Sequence, residues 1–217
     1  MKKLAEQNNK NSPNEYNRIF HDRAQKGPNW QDIRRWKELL RCYGGGILFD
    51  LGCLDSQISQ LIKRYTQNAK GYYVGVDVAS EAIKIMNQTV GINEHYIVGD
   101  LYRAESFGYY VQAKVENNAD YVVLGEVLEH LERPADAIKE AFRILKPNGI
   151  LAISVPLEEA NEPGACDADR HLWSYTEQDI KDLVTPYSTK VKTKVLRSKW
   201  LPYRYCWPQL VVWCWKK

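Results

Sequence analysis

The feature that most constrains the fold is a repeated alternation of apolar runs and amphipathic segments between residues 46 and 186. The apolar runs are continuous rather than alternating in polarity, which is typical of strands buried on both faces of a sheet. Strands that alternate with helices favour a parallel sheet covered by helices. The predicted strands are 47–51, 72–78, 95–98, 121–124 and 150–155.

Helical spacing of apolar side chains predicts helices at 57–66, 80–89, 135–145 and 176–185. Ser80 is placed to cap the second helix, because a serine hydroxyl accepts from the free N–H groups of a first turn. The tail differs, since lysines alternate with uncharged residues over 190–194 and a further apolar run covers 210–215. The sequence therefore predicts an α/β fold with a doubly wound, mostly parallel seven-stranded sheet. Its C-terminal edge is antiparallel, and helices on both faces make three α/β/α layers.

The length of 217 residues fits one domain. Residues 1–12 are polar and predict a disordered leader. Residues 13–42 predict an N-terminal helical cap, in which Pro13 opens one helix and Asn29 caps a second helix over 30–42. The core is expected at 46–217, so that 13–217 forms a single domain.

Composition excludes several classes of protein. The five cysteines form no CxxC pair, which argues against a zinc or redox motif, and their odd number argues against a disulfide scaffold. No apolar stretch reaches the roughly 18 residues that a spanning helix needs, and the N-terminus lacks a signal-peptide core. We therefore expect a cytoplasmic protein without a membrane partner. The net charge of +3 neither indicates nor excludes a nucleic-acid partner.

Acidic residues and a glycine stand where three successive predicted strands end. Gly52 follows the first strand, Asp77 ends the second, and Asp100 follows the third. Ligands of doubly wound sheets bind beyond these carboxyl ends. A glycine there lets the backbone approach a ligand closely. Asp77 can accept hydrogen bonds from a ribose diol, and Asp100 can accept from an adenine amino group while Leu101 packs on the ring.

Five segments, in this order along the chain, resemble the motifs of class I S-adenosylmethionine (SAM)-dependent methyltransferases. They are ILFDLGC, YYVGVDVASEAI, IVGDL, YVVLGEVLEHLERP and RILKPNGILAISVP. The matching segments span about residues 46–186. They resemble those of the type 11, 12 and 23 methyltransferase domains and of ubiquinone-pathway O-methyltransferases. The resemblance implies a Rossmann-like fold and an enzyme that uses SAM as its cofactor.

The resemblance also implies positions for the cofactor. Gly52 is expected beside the methionine part of SAM, and Asp77 at the ribose. Asp100 and Leu101 are expected at the adenine, and Gly125 beside the sulfonium. The complete set of expected cofactor residues is Asp50, Gly52, Cys53, Asp77, Val78, Asp100, Leu101 and Gly125.

The first loop departs from the pattern of the family, which has further glycines where this chain has Leu54 and Ser56. A leucine adopts positive φ only at a cost of about 1–2 kcal/mol. We therefore expect a different loop path and weaker cofactor binding, and a non-catalytic SAM-fold partner subunit stays an alternative. A nicotinamide-binding domain is disfavoured, because Leu54 breaks the G-x-G-x-x-G pattern.

A second group of polar residues follows the fourth strand. In a helix, Glu126, Glu129 and His130 would share one face, and His171 lies in the loop after the fifth strand. These four residues are candidate ligands of Mg²⁺ or Mn²⁺. The alternatives are acid–base chemistry, with His130, Glu126 and His171 as catalytic residues, and a structural role. The segment resembles the Glu-x-x-Glu-His motif of ubiquinone-pathway enzymes and the metal site of small-RNA 2′-O-methyltransferases.

The sequence favours a small-molecule acceptor that is methylated on a hydroxyl group or another heteroatom. An RNA 2′-O-methyltransferase is the alternative, with Lys190, Lys192 and Lys194 forming a basic strip. More often such lysines guard an exposed strand edge. The acidic loop 157–170 also disfavours a polyanion. Aromatic candidates for the acceptor pocket, each equally consistent with core packing, are Tyr16, Phe20, Trp30, Trp173 and Tyr175.

Overall fold

A seven-stranded sheet forms the centre of the computed structural model. The structure describes residues 1–5, 11–27, 30–55, 57–65, 71–103, 116–157, 170–197 and 208–217. The strands are β1 (Lys2–Lys3), β2 (Gly46–Leu51), β3 (Gly71–Asp77), β4 (Glu94–Val98), β5 (Ala119–Gly125), β6 (Leu145–Pro156), β7 (Trp173–Ser174), β8 (Ser188–Leu196) and β9 (Gln209–Lys216). The helices are α1 (Pro13–Lys26), α2 (Trp30–Leu39), α3 (Gln57–Tyr65), α4 (Ser80–Met86), α5 (Pro134–Ile144) and α6 (Glu177–Val184).

The strand order confirms the predicted fold class. The order is β4-β3-β2-β5-β6-β9-β8, and neighbouring strands are parallel from β4 to β6. The pairs β6–β9 and β8–β9 are antiparallel, as the change of pattern in the tail predicts. The strand order changes direction at β2, because β3 lies on one side of β2 and β5 lies on the other. The carboxyl ends of β2 and β5 are adjacent at this reversal, where doubly wound sheets bind ligands.

Two apolar cores lie on opposite faces of the sheet, because successive side chains of a strand point to opposite sides. Phe49 of β2 packs with residues of α5 and α6, whereas Leu48 packs with residues of α2, α3 and α4. Both side chains are essentially inaccessible to solvent. This arrangement explains why the strands read as continuous apolar runs and gives the three predicted layers.

The helix starts follow different capping rules. Thr176 and Asp179 form the reciprocal capping box of α6. Ser80, in contrast, does not cap α4: it is the first helical residue, and the N-cap position belongs to Ala79, which makes no side-chain cap. The side-chain oxygen of Asn17 in α1 instead accepts from the backbone N–H of Glu81 at 3.0 Å. A residue distant in sequence thus caps α4, which a local pattern does not reveal.

The N-terminal segment differs in part from a disordered leader. Lys2–Lys3 pair antiparallel with Trp173–Ser174, and the backbone N–H of Leu4 donates to the carbonyl of Leu172 at 2.7 Å. Asn11 is buried, and its side-chain amide donates to the carbonyl of Arg170 at 3.0 Å. Residues 6–10 and the expected cap Asn29 lie outside the described residues.

The lysines of the edge strand β8 contact residues of the neighbouring elements. The ammonium groups of Lys190 and Lys192 lie 4.9 Å and 5.7 Å from the centre of the Trp215 ring. Lys194 pairs with Glu38 of α2 at 2.6 Å. These contacts support the interpretation of the lysines as guards of the sheet edge.

In the described ranges, no helix combines the length and apolarity required to cross a membrane. Cys42, Cys53 and Cys214 are free thiols there. The two remaining cysteines, Cys166 and Cys206, lie outside the described residues.

Candidate functional site

A cavity of about 660 Å³ opens at the carboxyl ends of β2 to β6, beneath α1 and α2. All eight residues expected at the cofactor line it. They come from the carboxyl ends of four different strands and the loops that follow, which the parallel order brings to one edge of the sheet. The cavity therefore collects Asp50, Gly52, Cys53, Asp77, Val78, Asp100, Leu101 and Gly125 in one place.

Gly52 makes the first turn of the cavity possible. Its φ is +81°, and an added Cβ would lie 2.5 Å from a methyl group of Val127. The backbone N–H of Gly52 and that of Cys53 both donate to the carbonyl of Val76, at 2.7 Å and 3.1 Å. Only a glycine satisfies both the positive φ and the close approach at this position.

Leu54 has a φ of +42°, so the chain adopts positive φ at this position despite its cost to a leucine. Its backbone N–H donates to Oδ2 of Asp77 at 2.9 Å, and its side chain packs in a small cluster with Phe20 and Ala79. The hydrogen bond and the packing offset the backbone strain. Ser56, the second departure from the glycine pattern, lies outside the described residues.

Asp77 ties two strand ends together. Besides Leu54, its other carboxylate oxygen accepts from the backbone N–H of Ala79 at 2.8 Å. Its side chain is buried, and burial raises the pKa of its carboxyl although the backbone donors oppose the shift. The carboxylate is thus fixed at the wall of the cavity before any ligand enters.

Asp50 adds a second buried carboxyl group to the same wall. It accepts a hydrogen bond from the Tyr73 hydroxyl at 2.7 Å. Burial raises the pKa of the Asp50 carboxyl to about 7, and the neighbouring Asp55 and Asp77 add to the shift. Asp55 pairs with Arg23 of α1 at 3.3 Å. A cation placed in this part of the cavity would favour ionised Asp50.

Asp100, Leu101 and Gly125 complete the row of strand ends. The exposed carboxylate of Asp100 accepts from the backbone N–H of Tyr102 at 2.9 Å, which turns the chain after β4. Leu101 is buried against the core. A Cβ added to Gly125 would lie 3.2 Å from Leu39, so α2 passes close over the end of β5.

Glu129, His130 and His171 meet at the other end of the cavity. One potential ligand atom from each lies within 4.8 Å of the others. The imidazole rings of His130 and His171 are 5.1 Å apart, and the backbone N–H of Leu172 donates to the carbonyl of Glu129 at 2.7 Å. The last contact fixes the loop of His171 against the segment after β5.

Glu126 does not share a helical face with this cluster, so that premise is wrong. Leu128–His130 form a single 3₁₀ turn, and Glu126 precedes it with a φ of +58°. Its carboxylate lies 3.8 Å from the guanidinium of Arg35 and accepts from the Gln209 amide at 3.2 Å. Of the four predicted metal ligands, three are within ligand distance of each other, and Glu126 is not in that set.

Burial changes the acid–base properties of the cluster. It lowers the pKa of His130 to about 3, with His171 adding to the shift, so His130 is neutral near pH 7. Burial, and next the neighbouring Glu126, raise the pKa of Glu129 well above its usual range. Nδ1 of His130 lies 3.3 Å from the carbonyl of Arg170. Because a carbonyl only accepts, the proton of the neutral ring is on Nδ1, and the lone pair of Nε2 is available.

Comparisons with known proteins agree with this architecture. Residues 49–153 match the family described as a methyltransferase domain. The chain described as a methyltransferase in the complex with the Trm112 methyltransferase activator of Haloferax volcanii is similar in structure, with a TM-score of 0.71, 16% identity, and coverage of 94% of this chain and 98% of that one. No curated protein sequence matches.

Two further solved structures extend the comparison. A SAM-dependent methyltransferase from Archaeoglobus fulgidus has a TM-score of 0.63 at 14% identity and covers 92% of this chain and 99% of its own. The 1,6-didemethyltoxoflavin-N1-methyltransferase of Burkholderia thailandensis, solved with its acceptor and S-adenosylhomocysteine, has a TM-score of 0.66 at 16% identity. It covers 99% of this chain and 94% of its own. Residues 49–153 thus match a methyltransferase domain, and the solved structures share the fold of the chain.

Among the described residues, Tyr16 is the one aromatic candidate of the five that lines the cavity. Phe20 and Tyr175 are buried in the core, and Trp30 is about half exposed. The indole N–H of Trp173 donates to the carbonyl of Leu131 at 2.8 Å. Four of the five aromatics therefore follow the core-packing or surface interpretation, and the acidic stretch 158–169 lies outside the described residues.

Asn11, Arg35 and Gln209 are among the cavity residues that the sequence analysis did not predict. Arg35 occupies a buried position of α2, where a charged residue gives no sign of its role. Gln209 opens the last strand, and Asn11 lies in the expected leader. Their proximity depends on the packing of α2 and β9 beside β5 and β6, which no local spacing encodes.

The strain at Leu54 gives a testable prediction. Leu54→Ala and Leu54→Gly both remove the packing against Phe20, but only glycine releases the positive-φ strain. We expect the glycine variant to be more stable than the alanine variant by about 0.5–1 kcal/mol. Urea denaturation measures the difference. At exposed Val98 in β4, the same two substitutions should give the opposite order. An alanine variant at position 54 as stable as the glycine variant would contradict strain there.

Proposed function

We propose that this methyltransferase transfers the methyl group of SAM to a hydroxyl group, or another heteroatom, of a small-molecule acceptor. The observation that carries the proposal is the single cavity that joins the Gly52 turn and the Asp77 carboxylate to the Glu129, His130 and His171 cluster. The residues expected at the cofactor and a set of groups able to handle a proton or a cation thus share one cavity.

The residues of the cavity fit SAM. The bare Gly52 turn leaves the backbone open to a ligand, and Asp77 and Asp100 offer acceptors for hydroxyl and amino groups. The cavity volume of about 660 Å³ lies in the range of cofactor and small-ligand sites. By the family resemblance, Gly52 would contact the methionine part, Asp77 the ribose, Asp100 and Leu101 the adenine, and Gly125 would lie at the sulfonium. Asp50, Cys53 and Val78 would complete this site.

The catalytic demand on the protein is modest. Bound SAM supplies a methyl group on a sulfonium, which is already a good leaving group. The chain has to hold the acceptor atom in line with that methyl group and exclude water. Val127 and Leu131, which follow β5, are apolar residues of the cavity lining where this would occur. The acceptor then occupies the space between Arg35 and His130.

His130 is the residue that we propose takes part in moving a proton from the acceptor, with His171 and Glu126 beside it. Its Nε2 lone pair is available at neutral pH, and Oε1 of Glu129 lies 3.8 Å from that nitrogen. The lowered pKa makes His130 a weaker base than an exposed histidine. It therefore suits an acceptor whose proton is already acidic, such as a phenol or enol.

A divalent cation is the second candidate role for the cluster. Glu129, His130 and His171 supply one carboxylate and two neutral imidazoles, a ligand set that suits Mn²⁺ and related ions. Oε2 of Glu129 is buried and has no hydrogen-bond partner among the described residues, as expected of a ligand atom. Such a cation would make a hydroxyl of the acceptor more acidic.

An RNA acceptor is less favoured. Two of the three edge lysines face the ring of Trp215 and the third pairs with Glu38, so their contacts lie within the sheet and α2. Described carboxyl groups also outnumber guanidinium groups around the cavity, which opposes a polyanion. The Burkholderia neighbour, whose acceptor is a small heterocycle, supports the small-molecule interpretation, whereas the Trm112 complex leaves an activator subunit as a further partner to test.

Cofactor binding is the first prediction of the proposal. We expect SAM to bind the wild-type protein in calorimetry and to bind Gly52→Ala and Asp77→Asn at least about tenfold more weakly. The first change places a Cβ against Val127, and the second removes the charge that holds Leu54 and Ala79. Asp136→Asn, an exposed carboxylate outside the cavity, is the matched control and should bind SAM normally. Absence of SAM binding by the wild-type protein would refute the proposal.

The pH dependence of binding follows from Asp50. Its raised pKa of about 7 means that the carboxyl is mostly protonated well below that pH and ionises as the pH rises through it. Because a cationic ligand favours the ionised form, SAM affinity should rise roughly tenfold between about pH 5.5 and about pH 7. Calorimetry at a series of pH values measures this. Asp50→Asn should flatten the profile, and a profile equally steep in that variant would exclude Asp50 as its source.

The metal candidate has its own test. Mn²⁺ should raise the thermal midpoint of the wild-type protein but not of Glu129→Ala or His130→Ala, because both changes remove a ligand. Glu126→Gln lies next to the cluster but outside the ligand set, so it should keep the wild-type response. The same response in all four proteins would eliminate the metal candidate.

A further inference from the structure

Unpartnered buried polar atoms collect at one end of the cavity. Within the described ranges, five buried side-chain atoms lack a hydrogen-bond partner, and three of them belong to cavity residues. They are Nε of Arg35, Oε1 of Glu126 and Oε2 of Glu129. Two of the three are carboxylate oxygens, which accept hydrogen bonds and attract cations. A buried oxygen of this kind costs free energy unless a partner arrives.

Glu126 has a strained backbone as well as an unused oxygen. Its φ of +58° lies in the region that glycine and asparagine occupy most readily. The chain nevertheless has a glutamate there, held by the hydrogen bond from its N–H to the carbonyl of Ser154 at 2.9 Å. Strain of this kind clusters at ligand-binding positions, which supports a binding role for Glu126.

The neighbours of Glu126 occupy only one of its oxygens. Gln209 donates to Oε2 at 3.2 Å, and the nearest guanidinium nitrogen of Arg35 lies 3.8 Å from the same oxygen. Arg35 makes its shorter contact, at 3.0 Å, to Asp32. Oε1 therefore keeps its capacity to accept. A metal ion held by Glu129, His130 and His171 would not be a partner for this oxygen, because Glu126 is not in that ligand set.

The charge of the cavity points to the kind of ligand. Its described lining contains eight carboxyl side chains and three guanidinium groups, so carboxyls exceed cations by five. Even without Asp50 and Glu129, whose pKa values burial raises, six carboxyl groups exceed the three guanidinium groups by three. SAM carries a sulfonium, an ammonium and a carboxylate, and offsets only one of these three. A cavity lined by an excess of one charge concentrates ligands of the opposite charge. After the cofactor is bound, the remaining excess favours a cationic acceptor.

We propose that the acceptor carries a cationic nitrogen group, an amine or a guanidine, whose N–H groups are received by the carboxylates of Glu126 and Glu129. The inference rests on the proposed function and names the acceptor class of the same site. Glu129 is 1% exposed and, like Glu126, belongs to the lining of the cavity, so the two carboxyl groups lie in its wall rather than in a surface patch.

The experiment uses the full chain saturated with S-adenosylhomocysteine. Calorimetry compares cationic probes with neutral counterparts of the same shape: benzylamine with benzyl alcohol, tyramine with tyrosol, and propylguanidine with propylurea. We expect at least one cation to bind about tenfold or more tightly than its counterpart. Glu126→Gln should remove this preference while the variant still binds S-adenosylhomocysteine, and Glu129→Gln should weaken it. Asp136→Asn removes the same charge outside the cavity and should leave the preference unchanged.

Different results bear on different claims. If S-adenosylhomocysteine binds but no cation binds better than its neutral counterpart, the amine inference is overturned and the methyltransferase proposal stands. A preference that persists in Glu126→Gln also overturns it. If the product cofactor itself does not bind, the proposed function fails. Binding of Mn²⁺ that displaces a bound amine would assign the carboxylates to a metal and reject the inference.

Discussion

The shape of the cavity depends on the hydrogen bonds that the carboxylate of Asp77 accepts. Its two oxygens accept from the backbone N–H groups of Leu54 and Ala79, so one side chain joins the turn after β2 to the turn after β3. Both turns border the cavity, and Gly52, in the turn after β2, lies against Val127. Because the side chain is buried, these hydrogen bonds form in a medium of low dielectric, where they hold the loops more firmly than in water. The shape of this half of the cavity is thus set before a ligand binds.

The same burial has an electrostatic consequence. Asp50, Asp77 and Glu129 all have raised pKa values, and burial is the first cause in each. Uncompensated carboxylates are costly in such an environment, and the cavity has few guanidinium groups to pair with them. A ligand that brings positive charge recovers part of that cost. SAM, a divalent cation and an amine acceptor share this effect, since each would lower the free energy of the same buried acids.

The sequence predicted the positions of the core strands and a mostly parallel sheet well, because burial on both faces leaves a direct signature. Residues 121–124 of β5, for example, read as an uninterrupted apolar run, and Gly125 follows at the end of that run. The row of acids at the strand ends was also predictable, because parallel strands necessarily end at one edge. The grouping of Glu129, His130 and His171 was predicted as well, but the separate position of Glu126 was not, since a helix was assumed where the chain makes one 3₁₀ turn from Leu128 to His130. Spacing alone does not distinguish the two, and the difference removes Glu126 from the shared face.

Leu54 and Glu126 depart from the local rule that residues other than glycine avoid positive φ. Both have positive φ, and both stand in the loops that border the cavity. At Leu54 the backbone strain is offset by the hydrogen bond to Asp77 and by the packing near Phe20. At Glu126 the visible contacts occupy one oxygen and leave the other buried without a partner in the described part of the chain. Folding alone therefore accounts for the first residue. The second has a strained backbone and an unserved charge, which are best explained by a ligand that supplies the missing partner.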